Sequence, residues 1–150
     1  MRVALDAARD AQKAGEVPIG ACIVDEHGDL IATGYNRTIT DNDPTAHAEV
    51  VAIRNACANL GTFQLEGCIV YTSCEPCPMC LGAIYWSRPA AIFYAGTQID
   101  AAAAGFDDEE FYKEIEKPNA ERQLPMQNLL REEAQKVFRA WTEKPDKTAY

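Results

Sequence analysis

Apolar residues fall at helical spacing among charges over residues 3–13, and Gly15 follows them. This pattern predicts an amphipathic helix with a glycine stop. Residues 17–24 are apolar and partly β-branched, and the polar run Asp25-Glu26-His27-Gly28-Asp29 ends them. Residues 30–35 make a second apolar run, so the pair predicts a β-hairpin. Residues 36–43 are polar and read as a loop. Asp43-Pro44-Thr45 then opens a helix over residues 46–60, with Gly61 after it. Residues 68–73 predict a short buried strand. Glu75-Pro76 turns the chain into a helix over residues 77–86, halted before Pro89, and residues 91–95 give another strand. The alanine-rich stretch 100–104 reads as helix and stops at Gly105. Residues 106–117 are acidic and give no assignment. Residues 129–141 are helical again, and a polar tail ends at Tyr150. Helices alternating with short strands predict an α/β layered domain, with helices covering a sheet.

Composition changes this picture only at the margins. A chain of 150 residues, 47% hydrophobic and 25% charged, predicts one globular domain over 1–150. Its net charge of -9 opposes binding to a phosphate backbone, and Arg37, Arg54, Arg88 and Arg122 are too scattered to make a basic patch. A small neutral substrate is expected rather than nucleic acid. No charged start leads into an apolar run, and no apolar stretch approaches membrane-spanning length, so a cytoplasmic protein is expected. Cys74, Cys77 and Cys80 are too tightly spaced to be separate disulfide staples and read as metal ligands. Cys22 and Cys57 lie on apolar faces and read as small core residues. His27 falls in the hairpin turn and is expected in solvent.

The candidate chemistry lies in two short runs. His47-Ala48-Glu49 is followed, thirty residues on from His47, by Cys77 within Pro76-Cys77-Pro78-Met79-Cys80. A histidine and two cysteines are three ligands for one zinc ion, and three protein ligands leave a fourth position open, as in catalytic sites. The two cysteines, three apart at a helix start, share one face. The helix N-terminus favours thiolate over thiol. Glu49 is a candidate proton carrier, although two residues of ideal helix would turn it about 200° from His47. A closed structural site of His47, Cys74, Cys77 and Cys80 is the alternative. The cysteine spacing does not match that of an iron–sulfur cluster.

The combination H-x-E and P-C-x-x-C is similar to the signature of the zinc deaminases. The runs Asn42-Asp43-Pro44-Thr45-Ala46-His47-Ala48-Glu49 and 71–86 resemble the cytidine-deaminase-like superfamily. Ala104-Gly105-Phe106-Asp107-Asp108, Phe111-Tyr112-Lys113-Glu114-Ile115 and the terminal tyrosine resemble the guanine deaminases within it. The resemblance implies a three-layer α/β/α fold with a central five-stranded mixed sheet. It also implies a homodimer in which residues from about 120 to 150 are exchanged. It implies one zinc ion per subunit on His47, Cys77 and Cys80, with Glu49 as proton shuttle. Asn36, Ala48 and Tyr150 would bind substrate, Tyr150 by capping the partner subunit's pocket, and Asp108 would face the leaving amine. The implied reaction is hydrolysis of guanine to xanthine and ammonia. Asn36 also reads as a turn residue, Asp107 or Asp108 as a helix cap, and Tyr150 as an ordinary terminus. Ile19 stands where guanine deaminases tend to have a phenylalanine. Guanosine, ammeline, cytosine and tRNA adenosine keep the same chemistry, and a zinc-stabilised binding module without turnover is the reading of a different class.

Overall fold

In the computed structural model, residues 1–148 are described. The chain forms two compact units, Met1–Lys113 and Glu114–Tyr150. The first is built on a sheet of four strands, β1 (Gly20–Val24), β2 (Leu30–Tyr35), β3 (Ile69–Cys74) and β4 (Ala91–Gly96), in the order β2-β1-β3-β4. β1 pairs antiparallel with both β2 and β3, and β3 pairs parallel with β4. The parallel pair is joined by α4 (Pro78–Ser87), as a parallel connection requires a crossover.

Two glycines set how helices meet the sheet. A Cβ on Gly20 would lie 2.3 Å from the Ala8 nitrogen and 2.4 Å from the Ala4 oxygen, so α1 (Arg2–Lys13) rests its backbone directly on β1. A Cβ on Gly34 would lie 2.4 Å from the Ala52 nitrogen and 2.5 Å from the Ala48 oxygen, so α3 (Ala48–Leu60) rests on β2 in the same way. Gly34 pairs with Ala21, the neighbour of Gly20, and neighbours in a strand face opposite sides. Hence α1 and α3 cover opposite faces. α4 lies beside α3, with Val50 against Cys77 and Cys80.

The core lies under α3. Ala21, Ile23 and Val70 from the sheet pack against Ala48, Ala52, Ala56 and Leu65. Ile23, Leu65 and Val70 are essentially inaccessible to water. Each such side chain stabilises the fold by about 1.5–3 kcal/mol relative to exposure. On the other face of the sheet, Tyr71 stacks on Phe93 across the parallel pair, with ring centroids 5.3 Å apart. Along the edge strand β2, Asn55 and Asn59 of α3 each donate at 2.9 Å to the Thr33 and Ile31 carbonyls. Cys22 is buried, Cys57 packs against the core, and His27 is exposed.

Three sequence expectations need correction. The described residues form four strands, not five. After β4 the remaining apolar residues around Leu124, Met126 and Leu129 are interrupted by Pro125, which lacks a ladder donor, and they form no strand. The run 17–24 is extended only from Gly20, because Pro18 cannot donate and the Ile19 N–H turns back to the Val17 carbonyl at 2.7 Å. The polar run 36–43 contains a short helix, α2 (Thr38–Asp41), closed by Asn42 in the left-handed region. Further on, α5 (Gln98–Ala103) begins with a capping box between Thr97 and Asp100. The acidic stretch forms α6 (Asp108–Glu116).

The second unit holds a 3-10 turn (Asn119–Glu121) and α7 (Arg131–Glu143). Arg122 organises it by donating to the carbonyls of Glu114, Ile115 and Lys117. Val137 and Phe138 of α7 are largely exposed, and Trp141 is about half exposed.

Candidate active site

His47 and Cys77 occupy equivalent positions in two helices. Each is the residue just before the first turn, of α3 and α4 respectively, and each has extended backbone angles. Neither donates or accepts a side-chain capping bond there. Pro78 follows Cys77 at the first helical position, where its missing N–H costs nothing. Cys80 sits one turn into α4 and is fully buried. The ligand atoms of His47, Cys77 and Cys80 all lie within 4.8 Å of one another.

The spacing fits one tetrahedral ion. Nδ1 of His47 is 3.6 Å from the Cys77 sulfur and 3.5 Å from the Cys80 sulfur. Zinc bonds of about 2.05 Å to nitrogen and 2.3 Å to sulfur give a tetrahedral N···S edge of about 3.6 Å. The donor set fits as well. The Cys80 thiol donates to Cys77 and holds it far below the ordinary thiol range, while Cys80 is itself pushed up. Cys74 takes no part. Its sulfur faces the Thr97 carbonyl at 3.9 Å, and burial pushes its thiol up to about 11. The closed four-ligand alternative is thus not what the chain builds.

Glu49 lies beside these ligands because His47 precedes the helix and does not share its periodicity. The expected 200° separation does not apply to a residue at the cap. The carboxylate is 3% exposed and accepts from the Thr72 hydroxyl of β3 at 2.9 Å. Burial raises its pKa above the usual range, against its own N–H, Thr72 and the Cys80 thiol, which pull it back.

A cavity of about 230 Å³ opens onto this group. His47, Glu49 and Cys77 form its floor, with Glu75 beside them. Val17, Ile19, Asn36 and Thr38 form one wall, and Gly105, Phe106, Asp107, Asp108 and Phe111 form the other. The second wall is anchored by Tyr112, whose hydroxyl donates to the Pro76 carbonyl at 2.8 Å. Asn36 and Asp108 therefore come together with the metal ligands. Asp107 takes the cap position of α6, its carbonyl accepting from Glu110 and Phe111, and leaves Asp108 half-buried inside the first turn. Burial and then the Cys77 charge raise the Asp108 pKa. Ala48 is fully buried against Gly34 and is not among the cavity walls. Tyr150 lies outside the described residues. Sequence reasoning missed Val17, Thr38, Glu75 and Phe111 as site residues; Phe106 and Phe111 stood only inside a family motif.

A family model for the cytidine and deoxycytidylate deaminase zinc-binding region matches residues 1–96, which carry all three ligands and Glu49. The chain belongs to this deaminase family. It is a zinc-dependent hydrolase, and His47, Cys77 and Cys80 are positioned to hold the ion. The deaminase is 57% identical over 133 residues to the guanine deaminase of Bacillus subtilis, covering 89% of this chain and 85% of that protein. The X-ray structure of that guanine deaminase matches with a TM-score of 0.94 at 53% identity, over 99% of this chain and 95% of the other. The guanine deaminase of Nitrosomonas europaea matches with a TM-score of 0.66 at 37% identity, over 70% and 61% of the two chains. The tRNA-specific adenosine deaminase of Haemophilus influenzae is 40% identical, over 72% of this chain and 65% of that protein. The cytidine-deaminase-like α/β fold follows from the first structural match.

Proposed function

We propose that this deaminase hydrolyses guanine to xanthine and ammonia. The observation that carries the reading is the far wall of the cavity. Gly105, Phe106, Asp108 and Phe111 lie beyond the family's zinc-binding region, yet they face its ligands. The likeness to the Bacillus subtilis guanine deaminase spans this wall, since it covers 99% of the chain. An aromatic and aliphatic slot with a few polar groups suits a flat base. The net charge of -9 disfavours a polynucleotide.

Zinc, when bound, lowers the pKa of water and so supplies the nucleophile near neutral pH. Glu49 takes the proton that the attacking water gives up and returns it to purine N3 as the C2–O bond forms. Its desolvated carboxylate, steadied by Thr72, holds a proton more readily than one in water. Asn36 fixes the ring from the opposite wall. Asp108, whose pKa burial raises, takes the proton of the new C2 hydroxyl and passes it to the amine as the C2–N bond breaks and ammonia leaves.

Ammonia release from guanine, guanosine, cytosine, adenine and ammeline tests this assignment, with guanine expected to be fastest. Guanine inert while another member turns over would overturn the substrate and leave the zinc site standing. Glu49→Ala should lose about 100-fold or more in kcat with zinc content unchanged. Near-normal turnover of that variant would exclude the proton-shuttle role.

The active form is proposed to be a homodimer that exchanges residues from about 120 to 150, with Tyr150 closing the partner's cavity. The exposed Val137, Phe138 and Trp141 of α7 support a buried partner for that segment. The cytoplasm is the proposed location, because the cysteines are free thiols and form no disulfides, as is usual in a reducing compartment. No helix among the described residues is long and apolar enough to cross a membrane.

A further inference from the structure

We propose that Thr38 is a positioning residue that locks the Asn36 amide with its NH2 group toward the cavity, so that the substrate edge there must carry a hydrogen-bond acceptor. The inference rests on the reading of the cavity as a base-binding site, and it concerns one wall of it. Asn36 directly follows β2 and is 2% exposed. Its Oδ1 accepts twice from Thr38, from the backbone N–H at 3.1 Å and from the hydroxyl at 2.9 Å. Those two donors use both lone pairs of the amide oxygen. The backbone N–H can only donate and sets the polarity, while the hydroxyl bond holds the amide in place, so losing the hydroxyl loosens Asn36 without reversing it. Turning the amide over would set NH2 against N–H and leave a buried donor unmade, which is the costly case. The group that Asn36 turns to the cavity is therefore a donor.

The turn that carries Thr38 is itself fixed from both sides. Glu16, a carboxylate 6% exposed, accepts the next two N–H groups, from Ile39 at 3.2 Å and from Thr40 at 2.6 Å. Three successive donors at the start of α2 are thus held by Asn36 and Glu16. Arg37 clamps Asp41 with two bonds of 2.9 and 2.7 Å, and its N–H reaches the Ala46 carbonyl at 2.9 Å. Ala46 is followed directly by His47. The polarity of Asn36 is consequently set in a frame fixed to a metal ligand. A base whose acceptor at this edge is replaced by C–H should lose affinity. A base presenting a donor there should be rejected more strongly, because two donors would face each other.

The test is steady-state kinetics on whichever base in the panel turns over, so failure of the guanine assignment does not affect it. Thr38→Val should raise KM about five- to tenfold with kcat within about twofold of wild type, and Thr38→Ser should restore KM. Should the valine variant not fold, Thr38→Ala is read in the same way. Asn36→Asp keeps an oxygen toward Thr38 but replaces the donor by an acceptor, and should raise KM about 100-fold or more. The proposal is overturned if Thr38→Val leaves KM unchanged. It is equally overturned if that variant loses kcat, zinc and KM together without rescue by serine, or if Asn36→Asp binds like wild type.

Discussion

α1 and α7 are similar in length, 12 and 13 residues, and both are amphipathic, yet their apolar faces meet different ends. α1 buries Ala4, Ala7, Ala8 and Ala11, and its backbone sits against Gly20. α7 carries Val137, Phe138 and Trp141, of which the first two are largely exposed and the third about half exposed. Periodicity says only that a helix needs a cover. Residue size says what kind: alanines suit a glycine on a strand at contact distance, whereas phenylalanine and tryptophan need a shaped recess. The first helix is finished within its own unit. The last presents a face for which the proposed exchange between copies provides the recess.

Gly20→Ala should have the largest effect and attacks the α1 side of this contrast. The added methyl would stand 2.3 Å from a helix backbone atom that cannot yield alone. A loss of about 3 kcal/mol or more is expected in urea unfolding, which is at the upper end for overpacking. An unchanged midpoint would show that α1 does not lie so close. Phe138→Asp tests the α7 side. It should weaken self-association about 100-fold in sedimentation, as expected of a central aromatic, while the melting of unit 1 holds. Unaltered association would remove the exchange from the proposal.

The smallest effect separates helix packing from loop anchoring. Burial raises the Glu16 pKa, but the hydrogen bonds from Thr40 and Ile39 outweigh it, so the group sits below its ordinary 4.5. Its contribution to stability is therefore present above about pH 4.5 and is lost as pH falls through the folded value. The stability gap between wild type and Glu16→Gln should narrow from pH 7 to pH 3.5. A gap that stays constant would mean that the carboxylate charge does not hold α2.

Much of the fold was legible because its signals are local. The alanine face of α1, the hairpin runs, and the helices after Thr45 and Pro76 are written in periodicity and caps. The metal ligands were legible because two short runs carry all of them. What escaped depends on distant groups. α2 forms where Glu16 supplies acceptors from about two dozen residues upstream, and no window around Thr38 contains that information. Val17 and Ile19 looked like strand because they are apolar, but Pro18 releases them from the ladder and makes them a wall of the cavity. Phe111 and Asp108 lie on an acidic helix whose inward side is defined only by the site it faces. The fifth strand was implied by family likeness alone, and nothing in residues 118–130 has the alternation to build it. The capping box at Thr97, by contrast, was local and could have been read from Thr97 and Asp100.

The two asparagines along the sheet edge act as a gauge between unlike periodicities. Asn55 and Asn59 are one turn apart, about 6.0 Å of helix rise, and the carbonyls of Ile31 and Thr33 are two strand residues apart, about 6.6 Å. The near match lets both bonds form at 2.9 Å in one alignment of helix and strand. A one-residue slip of β2 would turn N–H groups toward amides that are themselves donating. The alignment propagates to the far ends of the same two elements, where β2 hands the chain to Asn36 and α3 begins after His47. A pair of surface side chains, outside the cavity lining, thereby keeps the distance between Asn36, proposed to orient a substrate, and His47, positioned to hold the ion.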